Sequence, residues 1–274
     1  MNLQQASRCL FAKSQICLIV AFIAGVAVLT ASIISFFKQC AFTDLILILV
    51  IAIAQVVQLA AKLWAMRRFA LGDSLRRMDQ LQNGLGISPD SLRMADAEKI
   101  VGICDAPADP NYWRTKLPQG PHRLVEMVEE SAFFTESISG TCANCLWLLA
   151  VVGVSICIIS LIAAVRLGIS GPATEFASHI IVAVLVFFLA GDSILMYLQY
   201  SDLKDAAHSS LQRVEYLLAK TDLSAAEAMG FAMEYNAAVT QAPPLISVVH
   251  RSNRKGLDAL FSRYKEAQRI DKTS

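Results

Sequence analysis

Charge is scarce in this sequence: Asp, Glu, Lys and Arg together make up 17% of 274 residues, against 55% hydrophobic. With a mean hydropathy of +0.49, that balance is foreign to ordinary soluble domains of this length. Alternation of apolar and polar residues with period two is missing, which excludes a transmembrane barrel. There is no Walker A motif, no HExxH, no GxSxG and no Gly-rich strand-to-helix turn. The four histidines, His122, His179, His208 and His250, are scattered without metal-ligand spacing. Catalysis is therefore not expected, nor a bound cofactor. A net charge of +1 gives no sign of a nucleic-acid polymer as partner.

What is present is long apolar runs. A hydrocarbon core of about 30 Å requires about 20 apolar residues in a helix. Four segments qualify: Ser14–Phe37, Asp44–Met66, Asn144–Val165 and Ala177–Leu198. In lipid the backbone must satisfy itself, so each is expected to be helical. The first is too long for a signal-peptide core and is followed at once by the second, so it reads as a retained span. The turns between spans one and two and between three and four hold few basic residues, Lys38 and the flanking Arg166. The positive-inside rule then places both termini and the central segment in the cytoplasm.

The expected architecture is an all-α membrane protein with four transmembrane helices in two hairpins, helical cytoplasmic stalks and a helical cytoplasmic domain. The corresponding segments are 1–66 (first hairpin), 67–142 (cytoplasmic), 143–199 (second hairpin) and 200–274 (cytoplasmic tail). Seven cysteines, all but Cys40 in spans or on the cytoplasmic side, make a disulfide framework improbable. Cys142 and Cys145 form a CxxC, without a second pair or a nearby histidine, and read as small packing residues.

Ser74 begins "SLRRMDQL" and Ser210 begins "SLQRVEYL", 136 residues apart, and "DAP" at Asp105 matches "QAP" at Gln241 with the same offset. Both pairs follow an apolar hairpin, as a tandem duplication would arrange them. Beyond span two, Leu71, Leu75, Met78 and Leu81 keep helical spacing, as do Leu203, Ala207, Leu211, Val214 and Leu218 beyond span four. Each span is expected to project a stalk whose apolar face packs on the other stalk. "NGLG" should stop the first stalk, and Ser88-Pro89-Asp90 should cap a helix running to about Cys104. Gly120-Pro121 should open a helix that enters span three, and a last helix is expected over about Arg254–Ile270.

Two sets of residues invite a functional reading. In span two Gln55, Gln58 and Lys62 form one helical stripe, and Asp192 lies in span four. Polar groups there either glue helices together or line a gated pore when chains assemble. Between the hairpins, "NYWRTKLPQGPHRLVEMVEESAFFT" supplies Tyr112 and Trp113 as flat faces, with Arg114, Lys116 and Arg123 as phosphate donors. Arg251, Arg254 and Lys255 in the tail add cations. A lipid-headgroup belt is the alternative. Glu126, Glu129 and Glu130 read as a solvated acidic helix face.

The segments "LRRMDQLQNGLG", "YWRTKLPQGPHRLVEMVEESAFFT" and "MEYNAAVTQAPPLISVVHR" resemble the SMODS-associating four-transmembrane effector family, over nearly the whole chain. The resemblance implies a bacterial inner-membrane effector of a CBASS-type antiphage system. Such a protein binds a cyclic di- or oligonucleotide with its cytoplasmic helices, rearranges or forms a homo-oligomer, and permeabilises the lipid bilayer. The family carries over no catalytic or ligand-binding residue. A small-solute transporter, a membrane scaffold and an effector held off by a resident nucleotide remain open at this point.

Overall fold

In the computed structural model, residues 3–37, 41–101, 112–166, 178, 181, 184, 193–244 and 247–271 are described. They form seven helices and, among the described residues, no strand. These are α1 (Leu3–Phe37), α2 (Ala41–Leu85), α3 (Ser91–Val101), α4 (Pro121–Arg166), α5 (Ser193–Ala219), α6 (Ala225–Gln241) and α7 (Ser247–Asp271). The all-α expectation holds. Three helical stretches, Leu3–Ala31, Leu45–Leu85 and Pro121–Ala163, are long and apolar enough to cross a membrane. The fourth expected span, Ala177–Leu198, lies mostly outside the described residues.

The chain divides into two compact units. One comprises residues 14–66 and 143–198. Its α1 and α2 pack through small residues, with Ala21, Ala24 and Ala31 buried, and Ser14 Oγ donates to the Ala65 carbonyl at 2.9 Å. Large apolar side chains such as Leu45, Ile48, Val56, Leu148 and Ile159 point outward. That inversion is what a hydrocarbon solvent permits and water does not.

The other unit comprises residues 1–13, 67–142 and 199–274. Its main core joins Leu124, Val128 and Ala132 of α4, Leu203, Ala207 and Val214 of α5, and Phe231, Ala232 and Tyr235 of α6. Leu81 and Leu85 at the end of α2 pack against it. A smaller cluster sets Leu75 of α2 against Leu3, Ala6 and Leu10 of α1 and Ala97 of α3. The stalks therefore do not simply face each other. α1, α3, α4 and α6 all share their apolar faces, and Leu71 is left exposed.

Local chemistry sets the ends. α2 stops at Gly86, whose φ of +75° suits the left-handed region. Gly86 N–H donates to the Gln82 carbonyl, the bond of an αL cap, and Ile87 N–H donates to that of Leu81. α4 begins at Pro121 as expected, because proline at the first helical position gives up an N–H that has no partner there anyway. α3 begins two residues later than the Ser88 cap predicts. Its cap is Asp90, whose Oδ1 accepts the Arg93 N–H at 2.8 Å. α7 begins at Ser247, earlier than the Arg254 expected. Cys17, Cys142, Cys145 and Cys157 are free thiols, and Cys9 is disulfide-bonded, a single bridge that the sequence reading did not expect.

Candidate ligand site in the helical unit

The second unit buries charge. Asp73 and Arg76 of α2 both point inward, and Arg76 fans across three helices. Its guanidinium donates to Asp73 Oδ1 at 2.8 and 3.1 Å, to Asn236 Oδ1 of α6 at 2.9 Å and to Ser131 Oγ of α4 at 3.1 Å. Arg77 holds the other Asp73 oxygen and donates to the Asn236 carbonyl at 3.0 Å. Tyr235 of α6 shares its hydroxyl with Thr135 and Ser131 at 2.8 and 3.1 Å. This network fixes α2, α4 and α6 in one register. "RRMDQ" was legible in the sequence only as a repeat, since nothing local distinguishes a buried arginine from a surface one.

The basic and aromatic segment folds onto this scaffold. Tyr112 meets Trp113 edge to face at 4.8 Å. Trp113 Nε1 donates to Asp79 Oδ2 at 2.7 Å. The Arg114 backbone N–H donates to Glu130 Oε2 at 3.0 Å, and its guanidinium lies 3.4 Å from Glu130 Oε1 and pairs with Asp258 of α7. Phe134 and Phe261 flank that guanidinium at 5.4 and 5.5 Å. Lys116 is exposed, and Arg123 donates to the Leu117 carbonyl. Trp113 and Arg114 are thus engaged within the protein, while Lys116 extends into solvent.

The acidic residues of α4 correct the sequence reading. Instead of a solvated face, Glu129 is fully buried at 0% exposure and Glu130 nearly so. Cations reach them from elsewhere: Lys265 of α7 pairs with Glu129 and lies 3.6 Å from Glu126, and Arg114 serves Glu130. Thr115 Oγ1 donates to Glu126. Among the described residues Glu129 Oε1 has no hydrogen-bond partner. Burial holds the Glu130 carboxyl above the ordinary range despite the N–H and guanidinium of Arg114. Burial likewise raises Asp79 against the pull of Trp113, Asn83 and Arg76.

These groups surround a cavity of about 460 Å³, lined by Arg114, Lys116 and Lys265, by Glu126 and Glu130, and by Phe261 and Gln268 among others. Sequence reasoning found Arg114 and Lys116 but missed Asp258, which pairs with Arg114, and the lining residues Phe261, Lys265 and Gln268. Their spacing of three, four and three along α7 was a legible signal, a stripe mixing charge with an aromatic ring. Arg251, Arg254 and Lys255 lie on α7 with side chains outside the described residues. Among the described residues no cluster of three metal-ligating side chains occurs.

In the first unit, Gln58 is buried against α1, and a Cβ at Gly25 would stand 3.1 Å from its Nε2. Gln55 and Lys62 are half-buried, on the side of α2 that carries Gln58. Asp192 lies outside the described residues. No protein-family model, no curated protein and no solved structure matches the chain.

Proposed function

We propose that this chain is a non-catalytic membrane effector. Its helical unit receives a phosphate-bearing ligand of the cyclic di- or oligonucleotide class, and its apolar helices respond by permeabilising a bilayer. The observation that carries this reading is the cavity of about 460 Å³, in which three cations, two carboxylates and an aromatic ring converge. Its volume lies within the range of small-molecule sites. Phosphate calls for a guanidinium fork and a lysine, and a purine calls for a flat apolar face.

Continuity of the chain supports the coupling. Glu126 and Glu130 line the cavity from α4, and the same helix runs unbroken to Arg166 through the apolar stretch. A ligand moves such a helix by binding one of its positions better than the other. A near-complete shift between two states needs about 5.5 kcal/mol of differential binding, which several ligands on a homo-oligomer reach more easily than one. In this proposal four spans cross a bacterial inner membrane with both termini in the cytoplasm, and the sequence matches on α2 and α5 mark two duplicated halves.

Dye release from proteoliposomes, with and without a panel of cyclic di- and trinucleotides, tests the proposal. Leakage triggered by one messenger is the expected result. Leakage that one messenger suppresses indicates an effector held off by its nucleotide. Silence across the panel, with insertion and helicity intact, refutes the effector reading and leaves a transporter or scaffold.

A further inference from the structure

The guanidinium that would receive a phosphate already holds a carboxylate from the C-terminal helix. Arg114 and Asp258 pair with side chains 38% and 39% exposed. A pair this wet contributes little, and a phosphate offers the same fork stronger acceptors. Seven residues further along α7, the situation reverses. Lys265 pairs with Glu129, whose side chain is 0% exposed, so separating the two strands a carboxylate in the interior. Between them Phe261 packs on Phe133 and Phe134 at 5.1 and 5.6 Å. Gly256, two residues before Asp258, has no atom of the described residues within 4 Å of where a Cβ would stand, and glycine weakens a helix interior. One contact of α7 is exposed and exchangeable beside a weak helical position, while the other is buried and fixed.

We infer that Asp258 is a built-in competitor for the pocket. An incoming phosphate group displaces its carboxylate from Arg114 and frees the N-terminal part of α7, while Lys265 on Glu129 keeps the rest of the helix docked. The inference rests on the reading of the cavity as an anion site. It gives that site a mechanical output: the ligand is sensed by what it evicts.

The test uses the full chain in detergent micelles with inorganic pyrophosphate as probe, matched for ionic strength with sodium chloride. Hydrogen exchange along α7 and pyrophosphate affinity are measured in the wild type, Asp258→Asn and Arg114→Gln. Pyrophosphate is expected to speed exchange over residues 251–260 of the wild type and to leave 261–271 protected. Asp258→Asn should exchange faster over 251–260 without pyrophosphate, and bind it tighter, each by roughly two- to fivefold, the span that an exposed ion pair supplies. Arg114→Gln should lose binding. Because Asp258 is exposed, its substitution is expected to leave the thermal midpoint nearly unchanged. Arg114-dependent binding with unaltered α7 exchange, and equal affinity in Asp258→Asn, overturns the competitor and keeps the anion site. Absence of Arg114-dependent binding in the wild type and in Asp258→Asn overturns both.

Discussion

Replacing Arg76 with Met removes the charge that ties three helices together and keeps most of the side chain's apolar stem. Asp73 Oδ1 loses both of its bonds, Asn236 Oδ1 loses its 2.9 Å donor, and Ser131 Oγ loses another at 3.1 Å. Asp73 has a side-chain exposure of 1%, so water does not replace what is lost. Breaking a buried pair from one side costs about 3–5 kcal/mol. Arg77 remains on the second Asp73 oxygen, which places the expected loss near the lower end. A loss of about 3 kcal/mol accelerates opening of α6 roughly a hundredfold. Hydrogen exchange over residues 225–241 reads this directly and does not require the whole chain to unfold in one step. Adding Asp73→Asn should recover part of the loss, with a coupling of about 2 kcal/mol between the two sites. An Arg76→Met chain whose α6 exchanges within a few-fold of wild type refutes the reasoning, since that is how a solvated pair behaves.

Burial raises the Asp79 and Glu130 carboxyls above their unfolded values of about 3.9 and 4.3, so the folded state holds their protons longer. Stability relative to Asp79→Asn or Glu130→Gln should therefore be highest below about pH 4, fall as pH rises through the folded values, and level off above them. Thermal midpoints across that window check the sign, and a difference that grows with pH contradicts it. Ser224→Ala breaks a complete capping box, in which Ser224 Oγ accepts the Glu227 N–H at 3.2 Å and Glu227 accepts that of Ser224. The expected destabilisation is about 0.5–2 kcal/mol, visible as faster exchange in the first turn of α6. Gly84→Ala would bring a methyl to 3.1 Å from the Leu124 Cα, a backbone atom that cannot step aside. It should force α2 from α4 at a cost of about 1–3 kcal/mol, measured as a lower thermal midpoint, whereas Ala at Gly230, where nothing lies within 4 Å, should not.

Apolar run length carried three of the four expected spans into the structure, because in a hydrocarbon solvent length and hydropathy decide the outcome almost without tertiary context. Punctuation was legible too. Gly86 ends α2 and Pro121 opens α4 for reasons confined to one turn of chain. The acidic stripe of α4 was misread for the opposite reason. Whether Glu129 faces water depends on Lys265, 136 residues away, and no local pattern reports that approach. Arg76 was invisible in the same way, its acceptor on Asn236 lying 160 residues on. Cavity-lining residues were named where they stand together in the chain, at Arg114 and Lys116, and missed where a distant helix completes the cavity, at Phe261 and Lys265.

The two ion-pair systems of the helical unit differ in what they permit. Around Asp73 every participant lies on a helix that packs into a core, and Arg76 is itself buried, so the network has no cheap way to open. Arg114 instead sits on an irregular segment with its guanidinium more than a third exposed, and beside Glu130 of α4 it holds Asp258 of α7, a partner as exposed as itself. A protein that must both hold a fold and answer a charged ligand needs these two behaviours in separate places. If the Arg114 pair were as buried as Asp73, a phosphate would have to strip charge from the interior before it gained any contact. If Asp73 were as exposed as Asp258, the ligand's charge would compete with the scaffold that aims Arg114. Exposure therefore sorts the two systems into one that positions and one that exchanges. Combining Arg76→Met with Asp258→Asn should reflect that division, with effects on α6 and α7 exchange that add within about 0.5 kcal/mol, as independent sites do.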